Sequence, residues 1–286
     1  MITVLHAPPF ATVQDLGRTG YRDIGVPLSG VADRESALAI NALLGNAANA
    51  AMIEWAVAGG ALRFDSHTEI ALGGADAECV IGAQHVSRWT RIQVAPGDVL
   101  EVRRIVSGRF LLVAARGGID VPIVLGSRST LLSAGFGGFE GRRLRNGDQL
   151  RIGAAFAPTR AENVEVQGAS NAPFHVIAGP QAFLFDDAAW SQLLDTEFTV
   201  SRASDRAGYR LEGAVISHRG SASLPSEPAC VGAIQVPHGG APIVIMNDGP
   251  TVGGYPKIAV LRRSSISRFA QLAPGDRARF MLDTAT

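Results

Sequence analysis

Lysine is almost missing from this chain. Of its 26 basic residues only Lys257 is a lysine, and the other 25 are arginines. Arginine keeps its proton near neutral pH, whereas a lysine offers a compact charge that its surroundings can tune. Cysteine is nearly as rare. Cys79 and Cys230 form no Cys-x-x-Cys pair and no Cys/His cluster, which removes the usual metal signatures, so no metal site is expected. Two buried free thiols are the expected state, with a disulfide reserved for an oxidising compartment. Aromatics make up 6% of the chain, too few for a base-stacking surface. The 26 basic and 26 acidic residues cancel, so no global field draws nucleic acid or an anionic membrane. The apolar runs Phe110–Ala115 and Pro242–Met246 fall far short of the ~20 residues of a membrane helix. Met1–Phe10 carries neither a basic start nor a continuous apolar stretch, as a signal peptide would. A cytoplasmic protein with no nucleic-acid or membrane partner is the expectation.

Several catalytic signatures are also absent. Gly126-Ser127-Arg128-Ser129-Thr130 and Gly135–Arg142 are glycine-rich, but neither is a phosphate loop nor a dinucleotide fingerprint. Ser127 and Ser129 lack the Gly-x-Ser-x-Gly elbow, and the six histidines suggest no Ser/His/Asp triad.

What the chain does have is strand. Short β-branched segments such as Glu69–Leu72, Arg91–Val94, Val99–Val102, Phe110–Ala115, Phe198–Val200 and Ile243–Met246 are punctuated by Gly and Pro. Two stretches read as helix. Ala32–Leu44 starts near Asp33 and stops at Gly45-Asn46, and Asp186–Leu194 opens on two acids that complement a helix N-terminus. This proportion predicts a mainly β fold with a few short helices.

The chain also echoes itself. Gly17-Arg18-Thr19-Gly20-Tyr21-Arg22 resembles Asp205-Arg206-Ala207-Gly208-Tyr209-Arg210, and Ala95-Pro96-Gly97-Asp98 resembles Ala273-Pro274-Gly275-Asp276. Asn146-Gly147-Asp148 is a third variant of the second pattern. Pro-Gly-Asp is a common turn, so the Arg-x-Gly-Tyr-Arg match carries more weight. Two related β-rich halves are predicted, 1–153 and 173–286, joined by an Ala/Asn/Pro-rich linker at 154–172. A cleft between them is the default ligand site.

Chemistry-bearing residues gather in two places. In the first half Gln14–Arg34 is a polar, glycine-rich loop entering a helix, with Arg18 as a carboxylate clamp or a turn brace. Asp33 reads as a helix N-cap or as part of an anion site. Glu54, set among apolar residues, is expected to be paired or to have a raised pKa. In the second half Gln235–Lys257 sets Gln235, Asp248, Thr251, Tyr255 and Lys257 among turns, with Gly253-Gly254 offering unobstructed backbone N–H groups. That mixture suits a small amide- or carboxylate-bearing molecule. Arg206 is the repeat counterpart of Arg18.

In the same order along nearly the whole chain stand Gln14-Asp15-Leu16-Gly17-Arg18-Thr19-Gly20-Tyr21, Leu125-Gly126-Ser127-Arg128-Ser129-Thr130, Phe136-Gly137-Gly138, Ala178-Gly179-Pro180-Gln181, Ser204-Asp205-Arg206, Gly232–Pro237 and Gly253-Gly254-Tyr255-Pro256-Lys257. This series resembles the allophanate hydrolase subunit 2 family, also called the biotin-dependent carboxyltransferase-like family or the family of 5-oxoprolinase C-type subunits. The resemblance implies two tandem cyclophilin-like β-barrel domains and a partner similar to allophanate hydrolase subunit 1. It implies a subunit of an ATP-dependent 5-oxoprolinase, with a LamB/YcsF-type third subunit and ATP used by the complex rather than held by this chain. One alternative is a carboxyltransferase that moves a carboxyl group from carboxybiotin, carried on another protein, to urea or another amide. The other is a non-enzymatic regulator that antagonises a kinase inhibitor. The expected site has Lys257, Tyr255 and Asp248 as catalytic groups. Gln235, Gly253, Gly254, Thr251, Arg18, Asp33 and Arg206 are expected to bind substrate. One departure stands out: relatives commonly carry Asp-Arg-Gln-Thr-Thr-Gly-Gly-Tyr-Pro where this chain has Asp248-Gly249-Pro250-Thr251-Val252-Gly253-Gly254-Tyr255-Pro256.

Overall fold

A computed structural model describes residues 1–155, 171–219 and 224–283. Most of the expected linker, 156–170, lies outside the described residues. The chain divides into two compact units: the described residues of the first are 1–19 and 29–155, those of the second 20–28 and 171–283. The contiguous halves expected from the sequence are thus crossed by one segment, since 20–28 clusters with the second unit.

In the first unit ten strands form one sheet, antiparallel throughout. Its backbone is a single long strand, Val99–Ala115, where the sequence suggested two short ones. One end of this strand pairs with Gly60–Arg63 and the other with Ile53–Ala56, so the sheet curls back on itself and nearly closes. Thr68–Ile81 follows it with three register shifts between Gly74 and Cys79. Such bulges bend a long ladder sharply, as a barrel wall requires. The apolar run near the end of the long strand now has a cause. Leu111, Val113 and Ala115 point into the barrel with Ile53, Trp55, Leu62 and Phe64. Leu112 and Ala114 point out, beneath helix α1, Arg34–Leu44, with Ala37, Ile40 and Leu44. A strand buried on both faces loses polar alternation. Gly73 permits this close packing, because a Cβ there would sit 2.7 Å from both Ile40 and Trp89.

The second unit holds an eight-stranded sheet in which Phe174–Ala178 lies between Lys257–Leu261, antiparallel, and Phe280–Leu282, parallel. A separate two-stranded ribbon pairs Glu227–Pro228 with Val252–Gly253. The core is aromatic: Phe269 packs edge-on against Phe174 at 5.0 Å and beside Tyr209 at 5.6 Å. The Tyr209 hydroxyl, buried with its ring, donates to the Ala270 carbonyl at 2.6 Å. Helix α2, Asp187–Asp195, begins where Asp186 caps the Ala189 N–H. Helix α3, Arg263–Ala270, was not legible in the sequence. Its first turn is polar and no side chain caps it; Phe269 and Ala270, packed at its end, anchor it. The fold is therefore mainly β, two nearly closed barrel-like sheets with three α-helices among the described residues, none long and apolar enough to cross a membrane.

The two echoes fare differently. At Gly97, Gly147 and Gly275 the backbone is left-handed, with φ of 94°, 90° and 97°. In all three turns the following Asp reaches back to a backbone N–H three residues earlier, at Ala95, Arg145 and Ala273. Each glycine also donates to a strand carbonyl, of Phe64, Val4 and Val200, whose own N–H returns the bond to the Asp carbonyl. The Pro-Gly-Asp echo, weak as a sequence match, is one device used three times. The Arg-x-Gly-Tyr-Arg echo pairs a loop at 17–22 with the strand Gly208–Glu212. The thiols also depart from expectation. Cys79 is buried, which pushes its pKa up to about 11, but Cys230 is exposed; neither is in a disulfide.

Candidate functional site

The lone lysine lies on a strand of the second unit. Gln235 and Lys257 face each other across an antiparallel ladder with a register shift between Ile234 and Gln235. Burial leaves Lys257 only 2% exposed, and its ammonium forms an ion pair with Oε1 of Glu227. An unpaired ammonium in such a place would be costly; the carboxylate offsets that. Gln181 joins them. Its Oε1 accepts the Lys257 backbone N–H at 3.2 Å, and its Nε2 donates to Glu227 Oε1 at 2.6 Å. Gly179 lets the Gln181 loop lie this close, since a Cβ there would stand 2.3 Å from the Lys257 carbonyl.

Gln235 differs from its neighbours. It is 4% exposed, and its Nε2 has no hydrogen-bond partner among the described residues. A buried amide left without an acceptor costs about 1–3 kcal/mol, so this group is poised for an oxygen it does not yet have. Gly253 lies directly over it: a Cβ there would come within 2.7 Å of Nε2. The ribbon that places Gly253 also places Glu227, its ladder partner. Lys257, Glu227, Gln181, Gln235 and Gly253 thus form one cluster.

Other predicted residues have different placements. Thr251 is buried and its carbonyl accepts from Ala229, while the Gly254 carbonyl accepts from Leu224. Tyr255 is 41% exposed. Asp248 gives both carboxylate oxygens to Arg206, at 2.8 and 3.0 Å. The pair braces adjoining loops, because the Asp248 N–H also reaches the Arg206 carbonyl. Gly249 is packed against this brace, with a Cβ position 2.6 Å from the Ala207 carbonyl and from Ile245. The glycine that departs from the family pattern therefore has a packing reason here.

In the first unit the predicted binders hold the fold. Asp33 caps α1, accepting from Ser36 N–H at 3.0 Å and Ser36 hydroxyl at 2.6 Å. Arg18, 1% exposed, donates to the Ser129 carbonyl and lies 4.8 Å from the Phe136 ring centre. Asp15 accepts from the hydroxyls of Ser127 and Ser129 and from the N–H groups of Gly17 and Arg128. Both candidate serines are thereby engaged. Glu54 is 1% exposed and accepts the Ala32 N–H at 2.7 Å. No group of three or more metal-ligating side chains occurs among the described residues.

Sequence reasoning missed Glu227 and the role of Gln181. Glu227 lies in Leu224-Pro225-Ser226-Glu227-Pro228, which has no periodicity and whose partner strand is distant in sequence. Gln181 was visible only as part of a shared motif.

With this geometry in hand, the class of protein follows. The family model for the carboxyltransferase domain, subdomain A and B, matches residues 24–282, and the chain belongs to that family. The C-type subunit of the 5-oxoprolinase of Escherichia coli (strain K12) is 35% identical over 98% of this chain and 91% of its own length. The subunit of the same name from Haemophilus influenzae is 33% identical, over 98% and 90%. Among solved structures, the K. lactis urea amidolyase superimposes with a TM-score of 0.91 at 30% identity, covering 98% of this chain and 18% of that one.

Proposed function

We propose that this chain is the C-type subunit of an ATP-dependent 5-oxoprolinase, opening the lactam of 5-oxoproline to glutamate. It works in a complex with a partner resembling allophanate hydrolase subunit 1 and a LamB/YcsF-type third subunit. The similarity to two bacterial subunits of that name over nearly their full length supports this reading. The observation that carries it is the buried ammonium of Lys257, the ladder partner of Gln235, whose amide nitrogen has no acceptor among the described residues.

An ammonium has three N–H donors, and Lys257 spends one on Glu227. When water attacks a lactam carbonyl, charge develops on the carbonyl oxygen. Lys257 Nζ and Gln235 Nε2 are the donors that would stabilise it, already held in a water-poor setting. The chain's part is to bind and polarise the carbonyl; ATP, held by the complex, supplies the driving force. The complex, purified with its partners, should hydrolyse ATP only when 5-oxoproline is present. An intact complex without that activity ends this reading.

The family's carboxyltransferase character and the likeness to a urea amidolyase favour a second reading, carboxyl transfer from carboxybiotin on another protein to an amide. Activity that depends on a biotinylated carrier and on urea, rather than on 5-oxoproline, would establish it instead.

A further inference from the structure

Glu227 receives its two hydrogen bonds unevenly. The Lys257 ammonium and the Gln181 carboxamide both donate to Oε1, and none of the described residues donates to Oε2. The Glu227 side chain is 37% exposed, which leaves its carboxylate open to a donor from a ligand. Across the ladder from Lys257, Gln235 Nε2 is a buried donor with no acceptor among the described residues. The two groups are held around the same point. Glu227 and Gly253 are ladder partners, the Gly253 Cβ position lies 2.7 Å from Gln235 Nε2, and Gln235 is the ladder partner of Lys257. One acceptor and one donor left over among the described residues are therefore tied to the same pair of ladders, through Gly253 and Lys257.

We infer that Glu227 and Gln235 together read the two edges of a cis amide, Gln235 donating to its C=O and Glu227 Oε2 accepting its N–H. This deepens the 5-oxoprolinase reading and rests on it for the choice of probe. A lactam presents C=O and N–H on one side of the ring, which matches this pair. An ester or lactone places a lone pair where the N–H would be, against a carboxylate. Glu227 is then the residue that selects for nitrogen; Gln181 is a positioning residue, and Lys257, besides its part toward the carbonyl oxygen, shares in fixing which oxygen of Glu227 is left for the ligand. A site built around a hydrogen bond rejects an analogue that cannot make it far more strongly than an apolar pocket rejects a missing methylene.

The test uses the full chain and two isosteres: 5-oxoproline and its lactone, in which ring oxygen replaces N–H. Titration followed by the Gln235 side-chain NH₂ resonances should give saturable shifts with the lactam and at least about tenfold weaker binding of the lactone. Glu227→Gln should abolish or reverse that preference, because Lys257 and Gln181 would hold the new carbonyl oxygen and turn its NH₂ toward the ligand. Gln235→Leu, which removes the reporter amide and is therefore titrated by calorimetry alongside the wild-type chain, should weaken both compounds alike, since both share the carbonyl. Equal binding of lactam and lactone by the wild-type chain, or no binding of either, overturns the inference whatever the variants do. Turnover by the complex separates the two claims. A complex that hydrolyses 5-oxoproline while its subunit does not discriminate keeps the function and loses this inference; an inert complex whose subunit discriminates does the reverse.

Discussion

Each unit sets a carboxylate in a net of donors, but the first net is buried and closed and the second is open. Asp15 collects two hydroxyls and two backbone N–H groups, all from within the first unit, and is 5% exposed. Glu227 collects an ammonium and a carboxamide on one oxygen and leaves the other available. The arginines of the Arg-x-Gly-Tyr-Arg echo show the same divergence. Arg18 braces a carbonyl and an aromatic ring, whereas Arg206 occupies Asp248. Similar building plans have thus been put to different ends. Closed donor nets stabilise a fold, and a net with one donor and one acceptor to spare can bind.

The largest effect should come from the open net. Lys257→Met in the assembled complex should lower turnover by about 100-fold or more while leaving the melting temperature nearly unchanged. A large loss of stability in its place would make Lys257 a fold residue and erase the contrast. The closed net should behave in the opposite way. Asp15→Ala leaves two hydroxyls and two N–H groups without their acceptor. It should cost about 3 kcal/mol or more in urea unfolding, each orphaned buried donor contributing about 1–3 kcal/mol. Turnover per folded molecule should change little.

Gly249→Arg restores the side chain common in relatives and places a Cβ against Ala207 and Ile245. Overpacking of this kind costs about 1–3 kcal/mol, so the melting temperature should fall by several degrees. No fall would mean that the brace around Asp248 yields easily. A single turn device should matter less. Gly97→Ala and Gly275→Ala, each imposing a Cβ on left-handed backbone, should each cost about 1–2 kcal/mol by chemical denaturation. Similar losses in both units would confirm that the device is shared.

The smallest effect concerns acid. Burial works to raise the Asp148 pKa, but the hydrogen bonds from Arg142 and the Arg145 N–H outweigh it and hold the group below its ordinary value. A depressed folded-state pKa stabilises fully above the unfolded value, about 3.9, and that stability is lost as pH falls through the lower folded value. Asp148→Asn should therefore flatten the stability of the first unit below about pH 4. An unchanged acid profile would remove Asp148 from the account.

Much of the fold was legible in the order of residues. Strand segments between glycines and prolines, the Asp33 cap and the Gly45 stop are local signals, because turn chemistry and capping act over a few residues. Helix α3 was not legible, since its hold comes from Phe269 entering an aromatic core assembled from Phe174, Tyr209 and Phe280. In the site, Lys257 and Gln235 could be picked out because polar groups among glycine turns stand out in a Gly-rich β sequence. Glu227 could not, because nothing in its own segment ties it to Gly253.

The sequence by itself determined the class of fold, the thrice-used glycine turn and the uniqueness of Lys257. These are properties of composition and of short range, where backbone sterics decide. Only the tertiary structure decided that Asp248 belongs to Arg206, that Asp15 is closed off, and that Glu227 and Gln181 stand around the lysine. Those outcomes depend on which donor reaches which acceptor across long stretches of chain. A buried charge takes the partner that folding delivers to it.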